Sequence, residues 1–170
     1  MKHEIMRAEL ARNAGSILRL LTGISQEDAQ RKPAPDSWSI LEVACHLYDE
    51  EREDFRQRVD ILLHRPADPW PPIHPGAWVT ERKYNEQDFS ATVAPWAEER
   101  KKSLAWLDSL STPDWDTKHP APFGPEMAAG DMLASWVAHD TLHMRQLAEL
   151  THERMLSLTA PYDVRYAGDW

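Results

Sequence analysis

The chain has 170 residues, 42% of them hydrophobic, which suits one folded domain with a substantial core and does not suit a disordered tail. Its formal charge of −9 argues against nucleic acid and anionic membranes as partners, because binding to either draws on clustered Lys and Arg. The single cysteine, Cys45, rules out an internal disulfide, and the opening MKHEIMRAELARN has no apolar run of the signal-peptide or membrane-spanning kind. A single domain over 1–170 in the cytoplasm is expected.

Apolar residues recur at helical spacing in four segments, and almost nothing alternates with the two-residue period of a half-buried strand, so the fold class is all-α. The first segment, residues 4–22, carries Met6, Leu10, Ala14, Ile17, Leu18 and Leu21 on one stripe, with Gly23 as its stop. The second opens in DSWSILEV. Ser39 and Glu42 match a capping box, in which each side chain satisfies a free backbone N–H, and Trp38 and Val43 occupy the positions of a hydrophobic staple. That helix is expected over 40–63.

Residues 65–88 hold five prolines and cannot be one continuous helix, so they read as a long, ordered connection. A third helix is predicted over 90–110, with Val93, Trp96, Ala97, Leu104, Leu107 and Leu110 on one face and Pro95 either kinking it or lying in its first turn. A proline-rich loop leads to a fourth helix over 131–154, and YDVRYAGDW closes the chain as an irregular tail. The 65–88 connection is long enough to cross the whole length of a helix. A crossover there makes the second and third helices parallel, giving an up-down-down-up four-helix bundle.

HDTLHMRQL, on the fourth helix, places His139 and His143 one turn apart, so both project from one face with Met132, Trp136, Gln146 and Leu150. Such a pair is equally at home as hydrogen-bonded packing residues, and a metal asks for a third ligand. His46 is the candidate. It shares a stripe of the second helix with Ser39, Val43, Glu50 and Glu53, at the margin of a face formed by Ile40, Ala44, Leu47, Phe55 and Leu62. If the second and fourth helices run antiparallel, His46 and His143 lie at one level of the bundle. Three neutral imidazoles leave a coordination position open for water or substrate. The donor type suits zinc or nickel, with iron or manganese as alternatives.

WSILEVACHLYDEE, followed about 90 residues later by HDTLHMRQL, resembles the DinB-like (damage-inducible) superfamily. Its members share a four-helix bundle with one histidine on the second helix and an HxxxH pair on the fourth. The resemblance covers nearly the whole chain. It implies His46, His139 and His143 as metal ligands, with Gln146 behind them or facing a substrate. Characterised members are thiol transferases and an isomerase that use low-molecular-weight thiols such as bacillithiol, mycothiol or glutathione. The resemblance therefore implies a small-molecule substrate: a thiol that binds the metal, loses its proton there and attacks an electrophile. The alternative is a metal-binding stress-response module without turnover.

No side chain stands out as a general base, and Glu50, one turn after His46, is the candidate for orienting a metal-bound water. Arg100 interrupts the apolar stripe of the third helix, where it either reaches the rim to pair with a carboxylate or clamps a substrate anion. His3, His64, His119 and His152 read as solvated residues, and His74 is held in reserve because its loop could fold over the site. Cys45 reads as a small buried hydrophobe. Trp70 and Trp78 suit loop packing better than a lid, and pairing into a homodimer is a guess from tryptophan-rich loops.

Overall fold

The structure is a computed structural model that describes residues 2–122 and 124–168. Four long helical elements form the bundle. They are α1 (Lys2–Leu21), a composite of α3 (Ile40–Glu50), a π-helical turn (Glu51–Phe55) and α4 (Arg56–His64), then α6 (Ser90–Ser109) and α7 (Ala129–Thr159). No helix among the described residues is long and apolar enough to cross a membrane.

Cross-contacts fix the directions. Arg7 near the start of α1 pairs with Asp108 near the end of α6, so these two helices are antiparallel. Along α3–α4 the partners on α6 advance together, from Cys45 beside Thr92 through Glu51 on Arg100 to Arg56 on Ser103, which makes this pair parallel. Against α7 the order reverses, with His46 beside His139 and Phe55 stacked on Trp136. The bundle is therefore up-down-down-up, and residues 65–89 make the crossover.

The start of α3 follows the capping logic of its sequence. Ser39 Oγ accepts from Glu42 N at 3.1 Å, and Ser39 N donates to Glu42 Oε2 at 2.8 Å. Trp38 does more than staple: its ring meets His46 edge-on, with centroids 5.1 Å apart, and lies parallel to His143 at 6.5 Å.

Several elements differ from the sequence expectation. The crossover contains a short helix, α5 (Pro75–Glu81), with Pro75 in its first turn where a missing N–H costs nothing, and a 3-10 turn at Tyr84–Glu86. A further short helix, α2 (Gln26–Gln30), is capped by Ser25. Strands β1 (Lys118–Ala121) and β2 (Gly124–Ala128) form an antiparallel hairpin in the last loop, tied to the bundle by Gly130 N donating to Trp115 O at 3.0 Å. Pro95 lies inside α6, beyond its first turn. The irregular tail carries a 3-10 turn at Arg165–Ala167, and its last two residues, 169 and 170, lie outside the described residues.

The core is divided in two. One cluster gathers Ile17, Leu41, Leu47, Trp96 and Leu147, and the other gathers Leu10, Phe55, Leu107, Leu133 and Trp136. Each bundle element contributes a buried polar residue between its members of the two clusters: Asn13, Glu51, Arg100 and Asp140. The histidines of α3 and α7 lie at this same level.

Candidate metal centre

The polar layer is organised by Arg100, which is only 2% exposed. Its Nε donates to both Glu51 oxygens, at 3.0 and 2.9 Å, its two terminal nitrogens form a fork on Asp140 at 2.7 and 2.8 Å, and Nη1 also reaches Leu10 O at 3.1 Å. Trp136 Nε1 donates to Glu51 Oε2 at 3.3 Å. Arg100 is thus no clamp for a substrate anion: its donors are committed to carboxylates inside the core. The reading that pairs it with a carboxylate is the one its surroundings match. Asp140 directly follows His139, so this network anchors the helix segment that carries the histidine pair.

Three imidazoles converge beside it. His139 Nε2 lies 3.1 Å from His46 Nε2 and 3.1 Å from His143 Nε2, and donor atoms of all three residues fall within 4.8 Å of one another. No carboxylate or thiol joins this group among the described residues. His143 Nδ1 lies 2.8 Å from Gln146 Oε1, an atom that only accepts, so Nδ1 carries the proton and Nε2 presents a lone pair. A ring nitrogen has one in-plane site, so at most one of the two contacts made by His139 Nε2 can be a hydrogen bond. A cation shared by the three lone pairs removes that conflict. Four-coordinate zinc, with Zn–N bonds near 2.0–2.1 Å, separates its donor atoms by about 3.3 Å, close to the spacing seen.

The environment keeps these rings in the form that binds a metal. Burial, with the nearby charge of His143 adding to it, pushes the His46 pKa down to about 3. Burial, then His143, His46 and Arg100, pushes His139 down to about 2, and burial also lowers His143. Imidazoles that are neutral when folded and take up protons when unfolded make stability fall with acidity. In the metal-free protein that loss begins as the pH drops through the unfolded value near 6.5 and continues toward 3. Urea titrations should show the unfolding free energy declining with increasing steepness from pH 7 to 5, toward about 1.4 kcal/mol per pH unit for each such imidazole once the pH is well below 6.5. Replacing His139 and His143 by Ala should flatten the slope, and an unchanged slope would count against buried neutral rings.

Glu50 does not stand where a base for a bound water is needed. Its Oε1 is 4.0 Å from His46 Nδ1, behind the ring, while the triad converges on the Nε2 side. Burial pushes its pKa up to about 7. Gln146 both contacts His143 and lines a cleft of about 590 Å³ that opens onto His143. Trp38 forms another wall of the cleft, and Asp36, Glu149 and Glu153 give it carboxylates without any Lys or Arg in the lining. Arg145 reaches Glu149 at 3.5 Å.

The remaining candidates lie elsewhere. His74 is exposed ahead of α5 and outside the triad. Trp78 is buried against the core with Arg82 over its ring at 3.9 Å, and Arg58 covers Trp70 at 4.7 Å, so both serve packing. Cys45 is buried, as a small hydrophobe should be, with burial pushing its thiol up to about 11. The cleft carboxylates Asp36, Glu149 and Glu153 were passed over by sequence reasoning, and Trp38 was read only as a helix staple. The position of Trp38 directly before the helix that carries His46 was the only available signal for them.

Among curated proteins, none matches this sequence. The fold is similar to that of YfiT from Bacillus subtilis, described as "a probable metal-dependent hydrolase with an unusual four-helix bundle topology". The two share 18% identity and superpose with a TM-score of 0.77 over 90% of this chain and 87% of the other. A family model described as the DinB superfamily matches residues 9–147, a span that begins within α1 and ends past both members of the histidine pair. The chain belongs to the DinB superfamily.

Proposed function

We propose that this protein is a metal-dependent transferase that holds one divalent cation on His46, His139 and His143 and activates a low-molecular-weight thiol for attack on an electrophile. The observation that carries the metal is the convergence of three imidazoles, that of His46 buried and those of His139 and His143 partly buried, with Gln146 fixing the proton of one of them. The description of YfiT as a probable metal-dependent hydrolase supports the metal and does not bear on thiol transfer. Imidazole donors favour zinc or nickel, with iron or manganese next.

A divalent cation held by His46, His139 and His143 would supply the positive charge that lowers the pKa of a nearby thiol. The protein's own groups do the rest. Gln146 holds the His143 ring so that Nε2 faces inward, Trp38 limits the approach from one side, and the cleft admits a small molecule to His143. No side chain in the cleft is placed as a strong base. That suits a reaction in which the thiol proton passes to solvent before the sulfur–carbon bond forms and a leaving group departs.

Charge narrows the substrate. Asp36, Glu149 and Glu153 at the cleft repel a thiol that carries several carboxylates, and Arg145 offsets only one of them, from the rim. With 1-chloro-2,4-dinitrobenzene as electrophile, the metal-loaded protein should conjugate cysteamine and 2-mercaptoethanol faster than glutathione at equal concentration. Faster reaction with glutathione would defeat the charge argument. No metal-dependent conjugation with any thiol would leave a metal-binding stress-response module without turnover.

A further inference from the structure

We infer that Glu50 is the positioning partner of His46, its Oε1 accepting the Nδ1–H of that imidazole when Nε2 faces a divalent cation. The inference rests on the metal-binding reading above, and its test separates the two. His46 Nδ1 and Glu50 Oε1 are both buried, and neither has a hydrogen-bond partner. A buried, unpaired polar atom costs free energy, and two of them facing each other one helical turn apart are complementary: one is the ring's second nitrogen, the other an acceptor.

The atoms stand 4.0 Å apart, so an N–H···O bond near 2.9 Å needs a closing movement of about 1 Å. Rotation about the side-chain bonds of Glu50 supplies that without moving α3. The gap also has a chemical reason. A neutral imidazole carries one proton, and a His46 ring that uses it on Nε2 toward His139 has only a lone pair on Nδ1, which gives Glu50 nothing to accept. A cation on the Nε2 side forces the other tautomer and puts the proton on Nδ1, where Glu50 meets it. Gln146 already plays the equivalent part for His143, at 2.8 Å. In this site one ligand is held in its binding tautomer beforehand and the other is locked only when the cation arrives.

Glu51, the next residue, marks the limit of this role. It begins the π-helical turn and points at Arg100 and Trp136, so two successive glutamates serve different partners. Glu50 lies outside the cluster of donor atoms and acts through His46.

The test measures metal affinity and metal-free stability on the same variants. Chelator competition with zinc and with nickel should show Glu50→Ala weakening binding by about 10- to 100-fold, and Glu50→Gln, whose amide oxygen still accepts, by less. Thermal unfolding of the metal-free proteins should show Glu50→Gln, which keeps the side-chain volume, melting no lower than wild type, because Oε1 makes no hydrogen bond there that the change could break. Unchanged metal affinity in Glu50→Ala would overturn the inference while leaving the metal site standing. So would a fall in the metal-free melting temperature large enough to account for the weaker binding. A wild-type protein that binds neither metal would overturn both readings.

Discussion

Purified without an affinity tag, the His139→Ala, His143→Ala double variant should contain essentially no divalent metal, whereas wild type should hold about one ion per chain. The variant keeps one of the three convergent imidazoles, and a single neutral nitrogen does not retain a divalent cation against water and chelators. The fold should survive the change. His139 and His143 are only partly buried, and the polar layer beside them is held by Arg100, Glu51 and Asp140, all left in place. Thermal unfolding gives a second readout of the same event. A ligand present at about 100 times its Kd stabilises the folded state by about 2.7 kcal/mol, and that metal-dependent shift should vanish in the variant. Elemental analysis showing equal metal in the two proteins would remove the site from consideration.

The parts of this architecture that sequence made readable are those set by spacing within one helix or by the length of a connection. His139 and His143 share a face because they are four residues apart. Ser39 and Glu42 cap because they are three apart. The crossover follows from a proline-rich stretch too long for a hairpin between helices. His46 at the level of His143 follows from antiparallel packing combined with both counts. What could not be read depends on chain segments that are distant in sequence or on a local break in periodicity. Phe55 is nine residues after His46 and in a regular α-helix would lie about 180° away. The π-helical turn adds one residue and brings Phe55 round by about 100°, where it meets His139 with ring centroids 4.8 Å apart. His46, read as marginal, is buried because Trp38 and the two histidines of α7 pack against its ring. Arg100 as an anion clamp was open from sequence because its partners, Glu51 and Asp140, come from two other helices.

Arg100→Met should lower the unfolding free energy by about 3–5 kcal/mol. Methionine fills the volume and follows the apolar stripe of α6, so neither a cavity nor helix propensity accounts for the loss. It comes from the two carboxylates left behind. Glu51 is 1% exposed and Asp140 is 0% exposed. Removing the guanidinium leaves Asp140 without the two-pronged contact that holds it, and leaves Glu51 with the single bond from Trp136. A buried charge without a partner must either protonate or draw water into the core, and both work against folding. The carboxylates are the cause only if removing them as well restores stability. Adding Glu51→Gln and Asp140→Asn to Arg100→Met should therefore recover a large share of the loss, in denaturant titrations that compare midpoints at constant slope. If the triple variant is weaker than Arg100→Met alone, the network stabilises through each of its bonds and not through charge balance. Because Asp140 adjoins His139, the same single variant should also bind metal less tightly while the cleft residues remain as they were.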